Sequence, residues 1–278
     1  MKSILTHRPA RRRLLRHLNH RHNKHHHVHY STTPKRPIIY PEAPNHSEHH
    51  DLASYAAYAE RTGLDQKSKT YIGTRYEYTV ANALTTLGFE LRRIGGKSDR
   101  GIDLMGLWHI PAASSPSSPS NTTPSPSTET TPTTALRILI QCKLSTTLST
   151  TKIGPHHVRE LEGAFAGGPP GFRRGPGLLA LLVAPRPATK GVRDALGGSR
   201  RPLGYVCCSP EGRLEQMLWN PQVEEEGLEG VGVGVQFVRK EGNGEGKEEG
   251  GEEKRLTLTW KGRPYVPYQR PIGESGEA

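Results

Sequence analysis

A strand that ends in Gln141 and Lys143, taken together with the carboxylate of Asp103 upstream, carries the side chains best suited to phosphate chemistry. Side chains alternate along a β-strand, so Gln141 and Lys143 share one face while Cys142 lies on the other. A charged group is rarely buried without a partner, so Lys143 either meets solvent at the strand end or faces a negative group. The pattern indicates either a metal site with a lysine beside it or a structural Asp103–Lys143 ion pair.

Another oxygen donor, Glu77, is predicted on a helix that starts near Ser68 and is closed by Gly88. Glu77 lies at the edge of the apolar stripe of this helix, so its carboxylate can reach a site beside the core. The stripe recurs every three or four positions, at Ile72, Tyr76, Val80, Ala83, Leu84 and Leu87. A short helix precedes it over residues 51–63, with Asp51 as its N-cap.

Three strands are predicted to position Asp103 and Lys143. Residues 89–94 alternate apolar and polar side chains, a Gly-rich turn follows over 95–100, and residues 101–108 continue as a second strand, so the two form a hairpin. Residues 111–134 are almost wholly Ser, Thr and Pro, which cannot bury enough apolar area to become ordered. This segment is therefore predicted to be a disordered insertion, with the third strand starting at Ala135.

The remaining pattern completes an α/β fold. A helix is predicted over residues 154–165, and the continuous apolar run 177–184 is typical of a strand covered on both faces. A further helix capped by Thr189 and a strand over 203–208 follow. From Ser68 the predicted order is helix, three strands, helix, strand, helix, strand. Residues 221–278 form a C-terminal extension, in which 231–238 and 255–260 are predicted to add an edge hairpin.

The helical Glu77, the run Gly101-Ile-Asp-Leu104 and the Gln141-x-Lys143 strand end resemble, in this order, the PD-(D/E)xK restriction-endonuclease-like superfamily. The likeness is closest to its Mrr-like branch, in which Gln replaces the second acid. The opening Ile72-Gly-Thr-x-Tyr-Glu77 is also similar to the fungal mitochondrial required-for-respiratory-growth protein 7 family. Over residues 68–220, the resemblance implies a restriction-endonuclease-like core, with a central mixed sheet flanked by helices in the order α-β-β-β-α-β-α-β.

The resemblance further implies a metal-dependent nuclease that hydrolyses phosphodiester bonds of mitochondrial DNA and is required for respiratory growth. Asp103 would be the main ligand of Mg²⁺ or Mn²⁺, with Glu77 as a direct or water-mediated second carboxylate. Gln141 would lend an amide oxygen, Cys142 its carbonyl, and Lys143 would orient or help deprotonate the attacking water. Two carboxylates about 4 Å apart repel by roughly 4 kcal/mol at an effective dielectric constant of about 20, which favours a cation between them.

The alternative is a catalytically inactive nuclease fold that binds nucleic acid or assists mitochondrial gene maintenance or expression. Gln141 bears on this choice, because an amide oxygen ligates Mg²⁺ without adding negative charge and so weakens metal affinity.

The net charge of +11 comes from the first 41 residues, which hold ten Lys or Arg and no acid. The rest of the chain holds 28 basic and 27 acidic residues, so a phosphate-binding surface must be a local patch. The leader, residues 1–41, matches a mitochondrial transit peptide, with a solvated basic arm as the alternative. No run of about 18 apolar residues is present, so no transmembrane helix and no membrane insertion are predicted.

A cluster of basic residues near Asp103 is either a phosphate-binding site or, with equal weight, a solvated face of the protein. It comprises Arg92, Arg93, Lys97 and Arg100. His156 and His157, at the start of the helix after Lys143, are expected to face solvent. The three cysteines, Cys142, Cys207 and Cys208, lack the spacing of a disulfide framework or a zinc site and are expected to be core residues.

Overall fold

A six-stranded mixed sheet forms the centre of the protein, whose computed structural model describes residues 48–94, 101–111, 133–144, 153–173, 175–239 and 252–267. The strands follow one another across the sheet in chain order. Their bounds are Phe89–Arg93 (β1), Leu104–Pro111 (β2), Thr133–Cys142 (β3), Leu178–Ala184 (β4), Leu203–Cys208 (β5) and Leu214–Trp219 (β6). The predicted leader, the interior of the predicted insertion and the turn over 95–100 lie outside the described residues.

Four helices pack around this sheet, with the bounds Leu52–Thr62 (α1), Lys69–Thr85 (α2), Pro155–Ala166 (α3) and Lys190–Gly198 (α4). Their starts follow the caps expected from the sequence. The side chains of Asp51, Ser68 and Thr189 accept hydrogen bonds from backbone N–H groups in the first turns of α1, α2 and α4. The predicted order from Ser68 to Cys208 is confirmed, although β3 starts at Thr133, two residues earlier than expected.

The strand directions bring several chain segments to one end of the sheet. β1, β2 and β3 are antiparallel neighbours, β3, β4 and β5 run parallel, and β6 is antiparallel to β5. Arg93 pairs with Leu104, which pairs with Ile140, so the end of β1, the start of β2 and the end of β3 lie side by side. α3 and α4 follow β3 and β4, and they therefore begin at this same end, called here the site end.

Each face of the sheet has its own apolar core. On one face Ile138 and Ile140 pack in a cluster with Tyr76 and Val80 of α2, and on the other Leu139 packs in a cluster with Val158 of α3. β4 is buried along its whole length, as predicted for a strand covered on both faces. Because side chains alternate, Gln141 and Lys143 follow Leu139 toward α3, and Cys142 follows Ile140 toward α2.

The C-terminal strands differ from the expected edge hairpin. Val231–Arg239 (β7) and Glu252–Trp260 (β8) do pair antiparallel, but with Arg263–Pro264 (β9) they form a separate three-stranded sheet. β6, which the sequence reasoning missed, takes the edge position beside β5. A short helix at Pro221–Val223 (α5) and a π-helical turn at Glu224–Leu228 then redirect the chain, and Leu256 and Leu258 of β8 join the core on the α2 face.

Candidate active site

Asp103 sits at the site end, one residue before β2, and its backbone is fixed from both neighbouring strands. Its N–H donates to the carbonyl of Ile140 on β3 at 2.9 Å, and its carbonyl accepts from the N–H of Ile94, just after β1, at 2.9 Å. The position of the Asp103 Cα is therefore set by the sheet itself, which is the rigid support that a functional carboxylate needs.

The carboxylate of Asp103 reaches across to β3, where Oδ2 accepts the Cys142 N–H at 2.7 Å. Lys143 donates its own N–H to Val183 on the opposite side of β3, at 2.8 Å. Successive residues of a strand direct their backbone groups to opposite sides, so the Cys142 carbonyl points to the same side as its N–H, beyond the start of β2. A carboxylate and a carbonyl oxygen thus lie at the position where β2 and β3 stop pairing.

Gln141 is 5% exposed, and its Oε1 atom is fully buried with no hydrogen-bond partner in the described part of the chain. Its Nε2 lies under Gly101, where an added Cβ would be 2.9 Å away and would displace the amide, and Gly101 has a φ of +78°, which favours glycine. A buried acceptor without a donor costs about 1–3 kcal/mol and points to an ion or water that satisfies it.

Glu77 lies on the α2 side of the site in an ion pair with Arg93. Its Oε2 accepts from Arg93 Nε, Arg93 Nη2 donates to Thr74 Oγ1 at 3.3 Å, and the guanidinium stacks over the Tyr78 ring at 5.8 Å. Only 14% of the Glu77 side chain and 17% of the Arg93 side chain are exposed. The pair is therefore held firmly between α2 and the end of β1.

The Cys142 thiol lies within the electrostatic influence of both carboxylates. Burial, and after it the negative charges of Asp103 and Glu77, raise the pKa of this thiol. Cys207 and Cys208 are buried core residues, as predicted.

Lys143 points toward α3, where its Nζ lies 2.8 Å from Oε2 of Glu160. The alternative of a structural Asp103–Lys143 ion pair is therefore wrong: Lys143 pairs with Glu160, and the Asp103 carboxylate accepts the Cys142 N–H. The hydrogen bond from Lys143 lowers the pKa of Glu160. Sequence reasoning missed Glu160, because a partner one turn into the next helix is found only after that helix has been packed against the strand.

The two histidines at the start of α3 differ from each other. His156 is exposed as expected, but the expectation for His157 is wrong, because it is 8% exposed. The Nδ1 of His157 accepts the Gly154 N–H at 3.1 Å, which closes the first turn of α3, and burial lowers the pKa of its ring. A histidine that caps its own helix was not distinguishable from a solvated one in the sequence.

The predicted basic cluster is divided by the structure. Arg93 is paired with Glu77, whereas Arg92, the preceding residue of β1, is exposed and points to the other face of the sheet. Lys97 and Arg100 lie outside the described residues. A phosphate-binding role for these four residues stays a prediction.

The donors present suit a hard cation such as Mg²⁺, which prefers carboxylate and carbonyl oxygens and keeps several waters. Oxygens of this kind are present at the Asp103 carboxylate, the unpartnered Gln141 Oε1 and the Cys142 carbonyl. Glu77, on the α2 side, forms its ion pair with Arg93. Within the described ranges, no cluster of three or more His, Cys, Asp and Glu side chains is arranged to hold a metal. A cation held by these oxygens stays a prediction.

Fold and site define an α/β protein with a six-stranded mixed sheet flanked by helices, in which a carboxylate, an amide and an amine are placed where two strands end. A family model described as Required for respiratory growth protein 7 matches residues 68–234. The chain belongs to this family. No solved structure matches it. In the described residues, none of the helices is both long and apolar enough to cross a membrane.

Relatives with this family name occur in several yeasts. The Zygosaccharomyces rouxii protein is 29% identical over 50% of this chain and 64% of its own length, and the Saccharomyces cerevisiae protein is 25% identical over 54% and 69%. An uncharacterised mitochondrial protein of Schizosaccharomyces pombe is 29% identical over 63% of this chain and 60% of its own. The chain thus spans between 60% and 69% of the length of these three relatives. All three are named mitochondrial, and the predicted mitochondrial location is confirmed.

Proposed function

We propose that this mitochondrial chain is a nuclease-like protein that hydrolyses phosphodiester bonds of DNA with the help of Mg²⁺ or Mn²⁺. The observation that carries the proposal is the buried, unpartnered Oε1 of Gln141, one residue from the N–H that Asp103 binds. The element order α-β-β-β-α-β-α-β supports a restriction-endonuclease-like core. A requirement for respiratory growth, which the names of the relatives state, fits a protein that acts on mitochondrial DNA.

Asp103, Gln141 and the Cys142 carbonyl would hold the cation. When bound, the cation neutralises phosphate charge and supplies a nucleophilic water at neutral pH. Asp103 keeps its orientation through the charge-assisted hydrogen bond from Cys142 and through its two backbone bonds to the neighbouring strands. Gln141 is fixed by its burial under Gly101, so its oxygen costs little reorganisation when it becomes a ligand.

Lys143 would donate to a phosphate oxygen and orient the attacking water. Its ammonium is shared with Glu160, a partly solvated pair with 29% and 48% of the side chains exposed, so a phosphate can compete for it. Glu77 keeps Arg93 neutralised next to the site. Each of these ion pairs is neutral overall, so Glu77 and Lys143 with their partners add no net charge beside the Asp103 carboxylate.

Nicking of supercoiled plasmid by the purified full chain tests the proposal. Asp103→Asn keeps an oxygen that accepts the Cys142 N–H but removes the charge, and Lys143→Ala removes the amine. Each should lower Mg²⁺- or Mn²⁺-dependent nicking by about 100-fold or more. Glu48→Gln and Arg61→Ala, which break the exposed Arg61–Glu48 pair at α1, are the matched controls and should cut normally. Equal activity in all five proteins would rule out the site.

A second candidate is a nuclease fold that has lost cleavage and binds nucleic acid or assists mitochondrial gene maintenance or expression. The two ion pairs favour it, because Glu77 and Lys143 are each held by a partner rather than aimed at a common point. It predicts DNA or RNA binding that survives Asp103→Ala and no cleavage with any divalent metal. A strain whose only copy carries Asp103→Ala would then still grow by respiration, whereas the nuclease proposal predicts that it fails to do so.

A further inference from the structure

The first turns of α3 and α4 meet at the site end, next to Lys143. A Cβ added at Gly191, in the first turn of α4, would lie 3.1 Å from the ring of Pro155, the first residue of α3. Both helices begin where β3 and β4 end, the side of a parallel sheet at which ligands of α/β proteins commonly bind. Side chains from these two turns therefore border the candidate active site.

Three arginines of this region are exposed: Arg159 on α3, Arg186 between β4 and α4, and Arg193 on α4. Of the carboxylates that the structure describes, none lies within 4.0 Å of their guanidiniums. The acids beside them, Glu160 and Asp194, are already paired with Lys143 at 2.8 Å and Lys190 at 2.7 Å. The three arginines are named here the arginine surface.

Arg186 is held in place by its backbone. Pro187 restricts the backbone of Arg186 to extended conformations, and the residue before Arg186, Pro185, has its own φ fixed by its ring. The Arg186 carbonyl accepts the hydroxyl of the buried Tyr205 at 2.6 Å. The loop is tied a second time where the Ala188 N–H donates to Oε1 of Gln216 at 2.8 Å. An exposed arginine on so constrained a loop is pre-organised for a ligand, since little backbone entropy is lost when it binds.

The arginine surface stands out because the chain beyond residue 41 is almost neutral, with 28 basic and 27 acidic residues. The opposite end of the sheet, reached by β6, carries acids instead, at Glu224, Glu225, Glu226 and Glu229. Positive charge gathered beside a site for phosphodiester chemistry fits phosphates, which arginine binds through its planar fork of donors. Phosphate contacts set the position of a nucleic acid without reading its sequence.

We propose that Arg159, Arg186 and Arg193 bind the sugar–phosphate backbone of a nucleic acid and align it with the candidate active site. The alignment rests on the proposed function, whereas the binding itself does not. None of these residues belongs to the basic cluster expected from the sequence, whose described members, Arg92 and Arg93, lie in β1.

Salt-dependent binding of a 30-base-pair duplex in EDTA tests this inference on the full chain. The variant Arg159→Gln, Arg186→Gln, Arg193→Gln is compared with Arg200→Gln, Arg255→Gln, Arg263→Gln, a control that loses three exposed arginines elsewhere. The basic leader is present in every form, so differences report the folded part. The slope of log affinity against log salt should become shallower by about 2 to 3 in the first variant and by less than about 0.5 in the control.

Equal slopes in the two triple variants would overturn the inference, because affinity would then depend on net charge and not on this surface. EDTA separates this result from the outcome of the nicking assay. If the chain does not cut DNA but the slope changes as expected, the arginine surface is supported and the proposed nuclease activity is ruled out. If the chain cuts DNA but the slope does not change, the nuclease activity is supported and the role of the arginine surface is ruled out. Matching circular dichroism spectra of the variants exclude unfolding as the cause.

Discussion

Two ion pairs lie on the two sides of the sheet end that carries Asp103, and they differ in the solvent exposure of their side chains. On the α2 side, Glu77 and Arg93 are 14% and 17% exposed; on the α3 side, Lys143 and Glu160 are 29% and 48% exposed. A solvent-exposed ion pair is screened and contributes little to stability. Removing one partner of a buried pair is costly, because the other charge is then buried without a counter-ion. The contrast indicates that the α2 side is structural scaffolding and that the α3 side can open toward a substrate.

This difference changes the meaning of the predicted site residues. Lys143 can leave Glu160 at a small cost and meet a phosphate, so its role in the proposed reaction needs no rearrangement of the fold. Glu77 can reach a cation only through water or by releasing Arg93, whose guanidinium would then lie beside the Tyr78 ring without a counter-ion. Of the two acids, Asp103 is therefore the one placed to act directly.

The largest expected effect is that of Glu77→Ala. Removing the carboxylate leaves the Arg93 guanidinium largely buried and unpaired, which should lower the free energy of unfolding by about 3 kcal/mol, measured by urea denaturation. Adding Arg93→Ala to the variant should recover part of the loss, because the bare charge is removed. A loss below about 1 kcal/mol in Glu77→Ala would mean that the α2 pair behaves as a surface pair, and the contrast would fail.

Gly101→Ala should destabilise next most, by about 2 kcal/mol, because the residue has a positive φ and the new methyl group meets the buried Gln141 amide. Gly63→Ala is the matched control: its φ is +63°, but no atom lies within 4 Å of the added Cβ. The difference between the two variants isolates the contact with Gln141. Equal losses would show that Gln141 is not held under Gly101 and has no fixed position from which to serve a cation.

Glu160→Ala should cost less than about 1 kcal/mol of stability, since the pair with Lys143 is partly solvated. The loss should shrink further at 1 M salt, where charges are screened within about 3 Å. Differential scanning calorimetry at low and high salt measures both values. A salt-independent loss of 3 kcal/mol would place this pair in the same class as Glu77–Arg93.

The smallest effect concerns pH. Burial lowers the pKa of His49, near Arg93, and of His157, near Lys143, below the ordinary 6.5. Their folded forms bind a proton less readily than the unfolded chain does, so this stability is complete above pH 6.5 and falls as the pH drops below it. His157→Gln should flatten the fall measured by thermal unfolding between pH 7 and pH 5, and an unchanged fall would contradict the burial of His157. The hydrogen bond from Lys143 lowers the pKa of Glu160 below 4.5, so its stabilising contribution is complete above pH 4.5 and is lost only below that pH, outside the window from pH 7 to pH 5.

The sequence predicted the order of elements from Ser68 to Cys208 because each has a strong local signal: the stripe on α2, the apolar run of β4, the caps at Asp51, Ser68 and Thr189. β6 was missed because Leu214–Trp219 is only half buried and lacks a clean alternation. The separate C-terminal sheet was also missed, since the pairing of β7 with β8 is local but the place where a hairpin docks is set by packing.

The site residues whose positions follow from the order of the strands could be predicted from the sequence. Those whose positions depend on packing could not. Asp103, Gln141 and Lys143 could be proposed from their positions on neighbouring strands. The partners that hold them in place could not: Glu160 for Lys143, and the Cys142 N–H for the Asp103 carboxylate. The first depends on the angle at which α3 crosses β3, and the second on the residue at which β2 stops pairing with β3. Neither quantity can be predicted from a local sequence pattern.

Binding of Mn²⁺ to the full chain, followed by electron paramagnetic resonance, tests the central claim most directly. Asp103→Asn and Gln141→Leu should each weaken binding by about tenfold or more, because the first removes the negative charge and the second an oxygen donor proposed to hold the cation. Asp194→Asn, an exposed aspartate on α4, should bind as the unaltered chain does. The histidines of the leader are present in every form and cancel in the comparison. Identical affinities in all four proteins would contradict the claim that a cation lies where β2 and β3 end.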